Sequence, residues 1–160
     1  MTVPAVSKAV DEALSRYSEP VRARLLEIRE IIFMVATETD EVGPLTETLK
    51  WDEAAYLTEA SKSGTTIRLG TTRSAPEECA VLFNCKTMLI ETFRTYFADD
   101  FAFEDNRALI VPTSQPLPRE PLILCLRAAL TYHRWKGAGS WSQRNAGVRR
   151  SPRLLSRISR

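Results

Sequence analysis

Apolar positions recur every three or four residues as far as Thr39, then alternate with polar ones, and return to helical spacing near the end. A first helix is expected over Ala5–Tyr17. Ser18-Glu19-Pro20 then opens a second, with a capping Ser, an acid in the first turn, and Pro where its missing N–H costs little. Val21, Leu25, Ile28, Ile32 and Val35 form its stripe, widened by Leu26 and Phe33. It should end near Thr39, before Asp40-Glu41-Val42-Gly43-Pro44.

Beyond Pro44 the period becomes two. Leu49 and Trp51 oppose Lys50 in a short strand, and Ala55 and Leu57 oppose Tyr56 and Thr58 in a second. Ser61-Lys62-Ser63-Gly64 turns into Thr65–Thr71, where Ile67 and Leu69 oppose Thr66 and Arg68. Cys79–Cys85 makes a fourth strand, antiparallel because Thr72–Glu78 is too short for a crossover helix. Thr87 caps a helix to about Phe97. Glu104-Asp105-Asn106 joins Phe101–Phe103 to Arg107–Val111 as a hairpin. After the proline-rich Pro112–Pro118, a last helix over about Arg119–Lys136 places Leu122, Leu126, Leu130 and His133 on one stripe, and Gly137 stops it.

This order predicts an α+β domain: a mainly antiparallel sheet of about five or six strands, packed on one face by the N- and C-terminal helices. One domain is expected over residues 1–136, with a basic, disordered tail over 137–160. Leu49, Trp51, Ala55, Leu57, Ile67, Leu69, Val81, Phe83, Cys85, Leu109 and Val111 should meet the helices. The opposite face carries Lys50, Tyr56, Thr58, Thr66, Arg68, Leu82, Asn84, Ala108 and Ile110. That set is more apolar than free solvation requires. Three uses compete for it: a solvated surface, a homodimer or partner interface, and a ligand groove. In the groove, Lys50 and Arg68 would hold an anion while Tyr56 and Asn84 orient it.

Charge refines the picture. The chain has 22 bases and 20 acids, but eight of the bases and none of the acids lie from Arg134 onward. The preceding part therefore carries 14 bases against 20 acids, an acidic body with a basic end. Arg149-Arg150-Ser151-Pro152-Arg153 could touch nucleic acid or anionic lipid. Without interleaved aromatics or a recognition fold, weak contacts are the most it offers nucleic acid. No apolar run approaches a membrane span, and MTVPAVSKAVDEALSRY reads unlike a secretory signal, so a cytoplasmic location is expected.

The candidate chemistry is sparse. Cys79, Cys85 and Cys125 lack metal spacing and read as buried, inert thiols. His133 is the only histidine and reads as a packed residue without a partner for general-base work. Asp99, Asp100, Glu104 and Asp105 form an acidic cluster without the alternation or central Gly of a calcium loop.

The stretches LKWDEAAYLT, GTTIRLG, LFNCKTMLIETFR, FEDNRALIVP and LTYHRWK resemble the YdhG-like family, the domain-of-unknown-function 1801 family, over about Val21–Lys136. The resemblance implies a compact α+β domain with a helix-flanked antiparallel sheet. Some relatives are described as frataxin-like iron chaperones, and most have no assigned activity. It thus brings iron as the one cofactor to consider, with Asp99, Asp100, Glu104 and Asp105 as its only candidates. The expected function is a non-catalytic binding or interaction module. The alternatives are weak iron delivery, and an enzyme acting on a small anionic substrate at Lys50, Arg68 and Asn84.

Overall fold

A computed structural model describes residues 3–137; the basic stretch, apart from Gly137, lies outside them. Among the described residues five helices and six strands follow one another as α1 (Lys8–Leu14), α2 (Glu19–Glu38), β1 (Thr46–Lys50), β2 (Glu53–Leu57), β3 (Ile67–Gly70), β4 (Cys79–Leu82), α3 (Leu89–Phe97), β5 (Ala102–Glu104), β6 (Ala108–Val111), α4 (Arg119–Leu130) and α5 (Tyr132–Trp135). The strands form one open antiparallel sheet in the order β1-β2-β3-β4-β6-β5. The α+β expectation holds.

Helix α2 carries the foreseen stripe: Val21, Leu25, Ile28, Ile32 and Val35 are all buried. Ser18 occupies the N-cap position, but its hydroxyl donates to Glu77 at 3.3 Å rather than closing the first turn. Helix α1 is shorter than expected. Ser7 caps it by accepting from the Val10 N–H at 3.3 Å, and only Val10 and Leu14 reach the core. Thr87 sits one residue ahead of the α3 cap position, where its hydroxyl accepts from the Leu89 N–H at 3.4 Å.

The last helix is broken where a continuous one was expected. The loop after β2 takes over its C-terminal carbonyls: the Thr65 N–H donates to Ala129 O at 3.0 Å, and Ser63 Oγ to Leu130 O at 2.7 Å. Gly64 makes this possible, because a Cβ there would collide with the backbone of Ala129 and Leu130. The chain turns at Thr131. His133 is thereby carried to the surface, off the apolar stripe, with its N–H donating to Ser63 O at 2.9 Å. Trp135 folds back into the core and donates its indole N–H to Ala128 O at 2.9 Å.

The main correction concerns β1 and β2. Lys50 pairs with Glu53, so Trp51 and Asp52 alone form the hairpin turn, with φ of 54° and 61°. Trp51 is therefore not a core residue; it is 85% exposed. Counting from Glu53 inverts the expected phase of β2. Ala54 and Tyr56 face the helices, where Tyr56 packs edge-on to Phe33 with ring centroids 5.7 Å apart. Ala55 pairs with Arg68 and shares its face, while Leu57 is half-buried. Leu49 is 36% exposed. Cys85 lies beyond the end of β4 and is exposed, whereas Cys79 and Cys125 are buried.

On the helix-free face, Ala80, Leu82 and Ala108 form a small buried cluster with Ile110 packed against it. Leu82 is only 4% exposed. Leu82 is thus covered rather than open to water, and Ala55 and the half-buried Leu57 take the place of Tyr56 on this face.

Candidate functional site

Strand register assembles the site. Ala55, Arg68, Leu82, Ala108 and Glu104 lie in one row across five strands, so their side chains rise from the same face. Arg68 is the long polar residue in the middle of that row. Its Nη1 donates to Glu53 Oε1 at 2.6 Å, and the two side chains are only 20% and 15% exposed. Gly70 leaves room for this carboxylate, because a Cβ there would collide with it. Burial holds the Glu53 carboxyl above its ordinary value, while Arg68, Arg16 and Arg107 pull it the other way.

Two adjoining hollows share Arg68 and Arg107 as a common wall. The first, about 280 Å³, is lined by Lys50, Trp51, Thr66, Phe83, Asn84 and Cys85 as well as those two arginines. Among the described residues its lining has three cations and no carboxylate. The second, about 430 Å³, has Arg73, Glu53, Glu104 and Asp105 along its sides and is mixed in charge.

Of the residues singled out from sequence, Lys50, Arg68 and Asn84 converge in the first hollow. Asn84 Oδ1 accepts from the Lys86 N–H at 2.9 Å, which fixes the side chain and leaves its Nδ2 as a donor. Lys50 and Arg107 are both exposed and form no ion pair among the described residues. Tyr56 is the exception. It lies on the core face, fully buried, where burial first and the Glu47 charge second push its phenol well above the ordinary value. It cannot orient a ligand on the open face.

The acidic four are divided. Glu104 accepts from Ser74 Oγ, and the Asp105 carbonyl accepts from Arg94 Nη2 at 2.6 Å; both residues line the second hollow. Asp99 and Asp100 follow the end of α3. Among the described residues, no three His, Cys, Asp or Glu side chains gather as a metal-holding group.

Sequence reading placed Trp51 and Cys85 on the core face and gave Arg107 no role. Trp51 is held by its turn: Arg16 Nη2 donates to the carbonyl of Asp52. A positive φ at a large side chain costs about 1–2 kcal/mol, and Asn or Gly would adopt it more easily. Among the described residues the indole makes no hydrogen bond or ring contact in return. The readable signal for Trp51 was Lys50-Trp51-Asp52-Glu53 as a turn rather than a strand end. For Arg107 it was the base closing the Asp105-Asn106 loop.

No helix of the described residues is long and apolar enough to cross a membrane. No family model matches the chain, and neither does any curated protein or solved structure, so the likeness to the YdhG-like family rests on the sequence motifs quoted above.

Proposed function

We propose that this chain is a binding domain for a small anionic ligand, taken up on the helix-free sheet face by Lys50, Arg68 and Arg107. The observation that carries the reading is the first hollow's lining of three cations without a carboxylate. Such a set in a concave, partly desolvated place favours a carboxylate or phosphate. Arg68 is pre-organised: Glu53 fixes one edge of its fork, which lowers the cost of presenting the rest to a ligand. Asn84 adds a positioned amide donor. Binding is preferred to catalysis because, among the described residues, no histidine or carboxylate lines the hollow beside Cys85. It is preferred to self-association because Ala80, Leu82 and Ala108, the apolar cluster in the middle of this face, are buried.

Titration with inorganic phosphate and with acetate, followed by amide chemical shifts, tests the reading. Shifts should concentrate at Lys50, Arg68, Asn84 and Arg107 and weaken as salt is raised. The exposed pair Lys50→Ala and Arg107→Ala should together lower affinity roughly tenfold or more without unfolding the domain. Shifts absent, or scattered evenly over the surface, would overturn it.

A further inference from the structure

The cations account for an anionic group but not for Trp51. This residue combines three properties: a large side chain at positive φ, 85% exposure, and a place in the wall of the cationic hollow. A two-residue hairpin turn of this type is satisfied by Asn or Gly at lower cost. The fold therefore gains nothing from an indole here, and loses stability by holding it. Arg16 clamps the turn through the Asp52 carbonyl, so the strained backbone is fixed rather than loose. Strain maintained by its surroundings at the mouth of a hollow is the pattern expected of a binding residue.

We infer that Trp51 is a stacking platform and that the ligand is a single-ring aromatic anion, its ring on the indole and its phosphate or carboxylate on Arg68 and Arg107. This rests on the anion-binding reading of the same hollow. Size and charge narrow the class. A space of about 280 Å³ accommodates one ring with its anionic group. A nucleic-acid strand is disfavoured, since its backbone would continue into the neighbouring hollow past Glu53, Glu104 and Asp105. The indole face also attracts the positive edge of a ring.

The probes are two matched pairs, phenyl phosphate with methyl phosphate and benzoate with acetate, titrated by calorimetry against the native chain, Trp51→Asn and Trp51→Phe. In at least one pair the aromatic member should bind roughly five- to tenfold more tightly to the native chain. Trp51→Asn should abolish that advantage and leave the non-aromatic member unchanged, while Trp51→Phe keeps part of it. Trp51→Asn should also melt about 2–5 °C higher, because the turn is relieved. Equal affinities within both pairs, with the small anions still bound, would overturn the stacking role alone. Binding of none of the four would overturn the anion reading with it. An aromatic advantage that survives Trp51→Asn would place the ring elsewhere and overturn the assignment.

Discussion

Arg68 and Glu53 are joined across neighbouring strands by a 2.6 Å contact on the open sheet face, in surroundings dry enough that the carboxylate is harder to ionise than in water. The pair is a compromise. The arginine is held in place, and the cost of burying its partner's charge outweighs the attraction of three nearby guanidinium groups.

A pH dependence follows. With its folded-state pKa above the unfolded one, Glu53 keeps a proton in the native state that the unfolded chain has already released. Stability from this group is fully present below the ordinary carboxyl range and is lost as pH rises through the raised folded value. Urea unfolding of the native chain and Glu53→Gln between pH 4 and 7 should show it. The native chain should gain stability relative to the variant as pH falls. A difference that stays flat would show that the ion pair merely offsets burial, and one that changes in the opposite direction that it outweighs burial.

The three thiols should separate cleanly. Burial pushes Cys79 up to about 12 and raises Cys125 well above its ordinary value, with both side chains shut from water. Cys85 is exposed in the wall of the hollow. Maleimide labelling read by mass spectrometry should modify one site quickly in the folded protein, and Cys85→Ser should remove it. A saturating anion should slow that reaction. Fast labelling at a second site, or no protection by the ligand, would count against this account of the hollow.

Much of this was legible in the sequence, and its failures have two causes, one local and one tertiary. The stripe of α2 and the alternation of β3 were readable because both run without interruption between clear turn residues. The β1–β2 turn contains neither Gly nor Asn, so Leu49 and Trp51 mimicked an alternating strand across a corner. One unrecognised turn then inverted β2 and put Tyr56 on the wrong face. The last helix failed for a tertiary reason. Its local periodicity continues through Thr131, but Ser63, Gly64 and Thr65 approach from far along the chain and claim its end. Lys50, Arg68 and Asn84 were found because they lie on the right face of β1, β3 and the end of β4. Arg107 and Trp51 join them only through hairpin geometry.

The corrected position of Tyr56 can be checked directly. Its hydroxyl is buried beside Glu47 and Arg29 without completing a hydrogen bond to either. Tyr56→Phe deletes a group that has been dehydrated without compensation, so stability should hold or rise by up to about 1 kcal/mol. Anion binding should not change. A loss above about 1 kcal/mol in denaturant unfolding would reveal a bonded hydroxyl, and a loss of binding would return Tyr56 to the open face.

Beneath Tyr56 lies a second ion pair, with a different character from the first. Arg29 is 3% exposed and Glu47 12%, and both guanidinium edges that face Glu47 are used, at 2.6 and 3.0 Å. The same arginine donates to the Pro4 carbonyl at 2.8 Å and stacks over Phe33 with 5.0 Å to the ring centre. It therefore fastens the edge strand β1 and the N-terminal segment to α2. Arg29→Met removes the only cation paired with Glu47 among the described residues, and should cost about 2–4 kcal/mol. Changing both partners, Arg29→Met with Glu47→Leu, removes the stranded charge and should recover most of that loss. Urea unfolding of the two single variants and the double closes the cycle. If the double variant is no better than Arg29→Met, the cost lies in lost packing and carbonyl contacts, and the pair contributes no coupling of its own.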